Sequence, residues 1–154
     1  MTHEYVIALG GIVLTSGPAA DSPPTALAWA ADAVLAVGSD EDVRAISRGD
    51  STFLRLDGSA VTRAPDDPVA AETLLRRAIR EGRSFRASEI LAEAGLTGAS
   101  RGLEPGSPAD LAFWSANPET LSAAEASSLH LVALVRGGGF TTGDAHVGPF
   151  RRTA

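Results

Sequence analysis

The first third of the chain alternates short apolar runs, several of them β-branched, with turn residues, a pattern typical of strands. Ala31 and Asp32 leave room only for a tight turn, so the runs on either side of them form a predicted hairpin. The Asp57-Gly58 pair predicts a second turn, from which the next run returns. The predicted strands are Tyr5–Leu9, Ile12–Thr15, Thr25–Ala30, Ala33–Val37, Thr52–Leu56 and Ala60–Thr62. Their regular spacing is typical of a small β-sandwich or barrel.

A short helix is predicted after Gly38. Ser39 can cap it, and acidic residues follow in the first turn, where they favour the helix dipole. We expect Val43 and Ile46 to face inward and Gly49 to end the helix.

The middle of the chain changes to a helical period. Proline and aspartate over Pro65–Pro68 predict a helix start. An apolar stripe lies opposite three arginines, which we interpret as a solvated face paired with Glu72 and Glu81. The stripe is Leu74, Leu75, Ala78 and Ile79, and the arginines are Arg76, Arg77 and Arg80. A second short helix is predicted from Ser88 to Gly95, with Ile90 and Leu91 buried.

The final third returns to strands. Leu111–Trp114 and His130–Val135 are predicted strands, Arg136–Gly139 is a predicted turn, and Phe140–Thr142 can pair back across it. Residues 148–152 are interpreted as a tail. The predicted core comprises Val6, Ile12, Val34, Leu35, Val37, Leu54, Leu111, Phe113, Val132 and Leu134.

Composition excludes several kinds of chemistry. All 13 basic residues are arginine, and the 154-residue chain has neither lysine nor cysteine. Disulfides, thiolate metal sites, Schiff bases and lysine general bases are therefore excluded. A formal net charge of −6 argues against a nucleic-acid or anionic-membrane partner. No apolar stretch is long enough to cross a membrane and the first residues do not form a signal peptide, so we expect a cytoplasmic protein.

The order of these elements resembles one part of the amidohydrolase superfamily, the metal-dependent hydrolases with a TIM barrel. Ala8–Thr15 is similar to the opening hairpin of the family, Ala33–Val43 to its next strand and helix, and Phe53–Gly58 to the strand that leads into the barrel. Leu103–Trp114, with its Gly-Ser-Pro-Ala-Asp-Leu run, resembles the strand that returns from the barrel, and Val132–Gly138 resembles the last hairpin. The resemblance covers most of residues 5–140.

The resemblance implies one small composite domain over residues 1–154. In the family, N-terminal and C-terminal strand sets join into one β-domain, and the catalytic barrel is inserted between them in sequence. The expected fold is therefore mainly β with a few helices (α+β content), a composite β-sandwich or pseudo-barrel. We expect N-terminal strands over about 5–62, a helical bridge over about 66–96 and C-terminal strands over about 108–142. Gly106 and Asp110 are expected to have structural roles at the entrance to a strand.

The catalytic part of the family is missing from this chain. The family continues with Asp-x-His-x-His, whose histidines bind metal, whereas this chain reads Ser59–Asp67 without a histidine. Leu74–Leu96 resembles the last barrel helix and the link that returns to the small domain. A barrel takes roughly 250 residues, but only about a dozen residues separate the strand that leads into it from this returning helix. The three histidines, His3, His130 and His146, form no local motif, and Asp144–Gly148 echoes the family motif by chance.

No other motif supports a catalytic site. Asp66 and Asp67 are interpreted as a helix cap rather than an acid/base pair. Trp29 and Trp114 are interpreted as core residues rather than a ligand platform. Gly137–Gly139 is not followed by a helix pattern, so a phosphate loop is not expected. We therefore assign no catalytic, cofactor-binding or metal-binding residue and expect no cofactor.

Two functional hypotheses remain open. The first is a non-catalytic binding or assembly module, a homodimer or the partner of another protein through the surface that would face the barrel. The alternative is a hydrolase of non-peptide C–N bonds that is active only with a separate barrel chain. As a single chain, the sequence favours a protein that is not an enzyme.

Overall fold

The computed structural model describes residues 5–14, 23–49, 51–82, 84–93, 103–140 and 151–153. The strands in these ranges are β1 (Tyr5–Leu9), β2 (Ile12–Val13), β3 (Ala26–Ala30), β4 (Ala33–Gly38), β5 (Thr52–Arg55), β6 (Ala60–Arg63), β7 (Leu111–Trp114), β8 (Leu131–Arg136), β9 (Gly139–Phe140) and β10 (Arg151–Thr153). The helices are α1 (Asp40–Arg44), α2 (Pro68–Arg80), α3 (Ala87–Glu93) and a 3₁₀ helix (Ala123–Ser128).

The strands form two five-stranded mixed sheets. The strand order is β10-β5-β1-β3-β4 in the first sheet and β2-β6-β7-β8-β9 in the second. β1 runs parallel to β5 and β2 runs parallel to β6, whereas the other pairs are antiparallel. The predicted fold class, mainly β with a few helices, is confirmed, and the sheets form a sandwich rather than a closed barrel.

Both ends of the chain contribute to both sheets. In the second sheet, β6 from the N-terminal half pairs with β7 from the C-terminal half, with Thr62 opposite Ala112. In the first sheet, β10 pairs with β5. Neither sheet is complete without strands from both halves, as expected of a composite domain.

Three apolar clusters hold the layers together. The first fills the space between the sheets and includes Trp29, Phe113 and Leu54. A second packs the outer face of the second sheet against α2, α3 and the 3₁₀ helix, and a third lies beneath Val43 of α1 on the outer face of the first sheet. Of the predicted core, Val34, Leu54, Leu111, Phe113 and Leu134 are buried, and Val6, Ile12, Leu35, Val37 and Val132 are half-buried against these clusters.

Two of the expected strand pairings are wrong. β1 and β2 lie in different sheets instead of forming a hairpin, because the chain turns at Gly10, whose φ is +76°, and crosses between the layers. Likewise, β6 does not return along β5. After the turn at Asp57 it joins the second sheet, between β2 and β7.

Local predictions near the ends of elements also need correction. Helix α1 ends at Arg44, so Ile46 lies beyond it and is exposed rather than buried. The last two residues of the predicted tail, Arg151 and Arg152, belong instead to strand β10 (Arg151–Thr153), which pairs with the edge of β5. The polar stretch before β8, which the sequence left without an element, contains the 3₁₀ helix. Predictions for Thr15, Gly95, Thr141–Thr142 and 148–150 lie outside the described residues.

No helix in the described part of the chain is both long enough and apolar enough to cross a lipid bilayer.

Candidate functional site

The most distinctive junction in the fold is the loop Gly106–Asp110, which binds the hairpin of β3 and β4. The amide of Val34 donates to Ser107 O at 2.8 Å, and the amide of Gly106 donates to Val34 O at 2.9 Å. The amide of Ala109 donates to Asp32 O at 2.8 Å. The expected structural role of Gly106 at the entrance to β7 is therefore confirmed.

The turn between β8 and β9 packs on the same junction. Asp110 Oδ1 accepts the amide of Gly137 at 2.8 Å, and the amide of Gly138 donates to Ala109 O at 3.0 Å. Trp29 Nε1 donates to Gly138 O at 3.0 Å. The carboxylate of Asp110 thus has the expected structural role, and the glycines form a turn between strands.

Both tryptophans belong to the core, as predicted. Trp29 is 1% exposed, and its ring centroid lies 6.2 Å from that of Phe113 between the sheets. Trp114 is fully buried on the other face of the second sheet, where its Nε1 donates to Thr62 Oγ1 at 2.9 Å. Because each indole N–H has a partner inside the fold, neither ring is a free surface for stacking a ligand.

The connection between β6 and α2 marks the place where the family resemblance puts the barrel. Only residues 64–67 separate Arg63 from Pro68. Asp67 Oδ1 caps α2 by accepting the amide of Ala70 at 3.1 Å, which confirms its interpretation as a cap. Arg136 donates from NH2 to Pro65 O at 2.8 Å and so ties the connection to the end of β8.

The arginine face of α2 has a partly structural role. Arg76 pairs with Glu72 at 2.7 Å, as predicted, and its Nε also donates to Leu129 O at 2.8 Å. Arg77 and Arg80 are exposed. This face therefore holds the segment before β8 on one side and contacts solvent on the other.

The start of α3 depends on a glutamate that the sequence did not single out. Glu119 Oε2 accepts the amide of Ala87 at 2.7 Å, and its Oε1 accepts from Arg86 NH1 at 3.3 Å. The ion pair is largely buried, with side-chain exposures of 14% for Glu119 and 26% for Arg86. No local signal identifies such a residue, because it lies over 30 positions from the helix that it caps.

The one described histidine is at the surface. His130 is exposed, and its Nδ1 lies 3.1 Å from Ser128 O. His3, His146 and the segment Asp144–Gly148 lie outside the described residues. Within the ranges that are described, no group of three or more histidine, aspartate or glutamate residues could hold a metal ion.

Among the described residues, two surface clefts are lined by charged or polar side chains. The first, of about 340 Å³, lies at the end of β1 and is lined by Leu9, Gly10, Asp40, Arg44, Arg55 and Asp57. The second, of about 250 Å³, lies between the end of α2 and residues 119–123. Arg44 and Arg55 belong to no sequence motif, since each is a lone arginine at the end of an element.

The carboxylate of Glu125 has a shifted proton affinity. The backbone amide of Ser122 donates to Glu125 Oε1 at 3.0 Å, and the Ser122 hydroxyl donates to the same oxygen at 2.8 Å. These hydrogen bonds, the backbone one first, hold the pKa of Glu125 below its ordinary value because they stabilise the charged form. Both residues are exposed at the start of the 3₁₀ helix, so the shift reflects capping.

The geometry offers hydrogen-bonded junctions and charged surface clefts. Comparisons with protein-family models, with curated proteins and with solved structures find no match to this chain.

Proposed function

We propose that the chain is an amidohydrolase-like composite β-domain that stands without a catalytic barrel and acts as a non-catalytic binding or assembly module. Its partner is a second copy of the chain or another protein. The proposal rests on the sequence resemblance together with the observed topology.

The observation that carries the proposal is the short connection between β6 and α2. The resemblance puts the catalytic barrel between the two strand sets, yet residues 64–67 join β6 directly to α2. Asp67 caps α2, and Leu75 and Ile79 of α2 pack into the cluster on the outer face of the second sheet. The two strand sets complete a packed domain with no inserted unit, so the fold supports an independent module.

The helices limit where on the second sheet a partner can bind. The outer face of that sheet is covered by α2, α3 and the 3₁₀ helix and is not an open apolar surface. The described residues include two large exposed apolar side chains, Ile46 at 37% and Val69 at 77%. Val69 lies in α2 and Ile46 lies just beyond α1, so we do not assign the partner to one apolar face.

The metal content of the purified, untagged full-length chain tests this proposal. The protein would be incubated with excess zinc, manganese, nickel or iron, separated from free metal and analysed by elemental mass spectrometry. We expect far less than one metal ion per chain. Close to one ion per chain, lost when His3, His130 and His146 are replaced by alanine, would contradict the proposal and favour the alternative hydrolase.

A further inference from the structure

The first cleft lies where the parallel strands β1 and β5 end beside α1. Leu9, the last residue of β1, is in register with Arg55, the last residue of β5. The chain then turns at Gly10, whose φ is +76°, and at Asp57, whose φ is +50°. The cleft beside these turns has a volume of about 340 Å³, which is within the range of small-molecule sites.

The charged side chains that line this cleft balance in number but do not pair with one another. They are two arginines, Arg44 and Arg55, and two aspartates, Asp40 and Asp57. Arg44, Arg55 and Asp57 are exposed. Within the described ranges, none of these three side chains makes an ion pair or a hydrogen bond. Opposite charges therefore stand apart around the cleft instead of neutralising each other in contact.

Asp40 is the anchored member of this set. Its Oδ1 accepts the amide of Gly10 at 3.1 Å and the hydroxyl of Thr25 at 2.8 Å. These two hydrogen bonds hold the half-buried carboxylate in one orientation before a ligand arrives, which lowers the cost of ordering it on binding.

The turn after β5 does not itself require an aspartate. Asp57 has a left-handed backbone, which glycine adopts without strain and other residues adopt at a cost. Strained backbone of this kind is often kept where a side chain has a functional role. The carboxylate of Asp57 is therefore available to a ligand rather than to the turn.

We propose that the first cleft binds a small zwitterion, a molecule that carries one carboxylate and one ammonium group. The ligand carboxylate pairs with the guanidinium groups of Arg44 and Arg55, and the ammonium group pairs with the carboxylates of Asp40 and Asp57. A ligand with a single charge would match only half of the cleft and leave the other half unmatched. This binding site goes beyond the proposed assembly function and does not depend on it.

Binding is tested with unbranched amino acids of increasing length, namely glycine, β-alanine, γ-aminobutyrate and ε-aminocaproate. Each is added at neutral pH to the isotope-labelled full-length chain, and the amide signals are followed by NMR. We expect at least one length to bind with a Kd of about 1 mM and to shift the amides of Gly10, Arg44, Arg55 and Asp57.

Singly charged analogues are the matched ligands. The carboxylate without the amino group, and the amine without the carboxylate, should each bind about three- to tenfold more weakly than the amino acid of the same length. An analogue that binds as tightly as its amino acid would overturn the proposal. Signal changes away from the cleft, or no binding by any amino acid of the series, would overturn it as well.

Substitutions in the full-length chain test the contacts. Arg55→Gln and Asp57→Asn each remove one charge and should weaken binding about two- to fivefold. Asp57→Gly should weaken it as much without lowering Tm, because glycine suits the left-handed backbone. Arg77→Gln removes an exposed arginine of α2 outside the cleft and should leave binding unchanged.

Equal losses of binding in Arg77→Gln and Arg55→Gln would reveal a general effect of net charge and would overturn the site. Metal content, which tests the proposed function, does not enter this experiment, so the two ideas fail separately.

Discussion

Replacing Gly138 with alanine tests the junction that joins the two strand sets. Gly138 has φ +88°, and a Cβ at this position would overlap the backbone carbonyl of Ala31 at the tip of the β3–β4 hairpin. To relieve this overlap, one of the two turns must move. Such a movement would weaken the hydrogen bonds of Gly138 with Trp29 and Ala109, which are both 3.0 Å long.

The expected cost of Gly138→Ala follows from these contacts. The left-handed backbone costs alanine about 1–2 kcal/mol, and each weakened hydrogen bond costs about 0.5–1.5 kcal/mol. We expect a loss of about 2–5 kcal/mol in the free energy of unfolding, or about 10 °C in Tm at this chain length. Urea unfolding followed by circular dichroism measures the loss.

Gly137→Ala is the matched control. Gly137 also has a positive φ, +58°, but a Cβ there would meet nothing within 4 Å. We therefore expect only the backbone cost of about 1–2 kcal/mol. Equal denaturant midpoints for both variants would contradict the close approach of the two turns.

Three further predictions concern buried and capping groups. Trp114→Phe should lower the free energy of unfolding by about 1–3 kcal/mol, because it removes the indole N–H that donates to Thr62. A double-mutant cycle with Thr62→Val should show that the two substitutions are coupled. Additive losses of stability would contradict the hydrogen bond. In chemical unfolding, Asp67→Ala should lower the free energy of unfolding by about 1 kcal/mol, because it removes the cap of α2. Asp67→Asn keeps an accepting oxygen and should lower it much less. Equal losses for the two variants would contradict capping. An NMR titration should place the pKa of Glu125 below its ordinary value, and Ser122→Ala should raise it. Because folding lowers this pKa, the contribution of the cap to folding stability is present above the pKa of the unfolded state. It is lost as the pH falls through the pKa of the folded state. An unshifted pKa of Glu125 would contradict the cap.

The local elements could be predicted because their signals lie within a few residues. The hairpin around Ala31, the Ser39 cap of α1 and the apolar stripe of α2 each depend on neighbouring residues, and the structure places all three as expected. Short-range chemistry of this kind can be read from one sequence.

Pairing between strands could not be predicted in the same way. The assignment of β1 and β2 to different sheets depends on partners such as β5 and β6, which are distant in sequence. The strand β10 has no pattern of its own beyond two arginines and a threonine, and only the free edge of β5 makes it a strand. Glu119 and Arg55 were missed for the same reason, since tertiary proximity gives each its role.

Disulfide trapping between β6 and β7 tests most directly whether the two halves of the chain form one domain. The chain has no cysteine, so Thr62→Cys/Ala112→Cys, at directly opposed positions, can form a single defined bridge. Thr62→Cys/Phe113→Cys is the control, because residue 113 points to the other face of the sheet. After refolding with oxidised glutathione, mass spectrometry should show an intramolecular disulfide in the first variant and free thiols in the second. Free thiols in the first variant, or equal cross-linking in both, would contradict the composite domain.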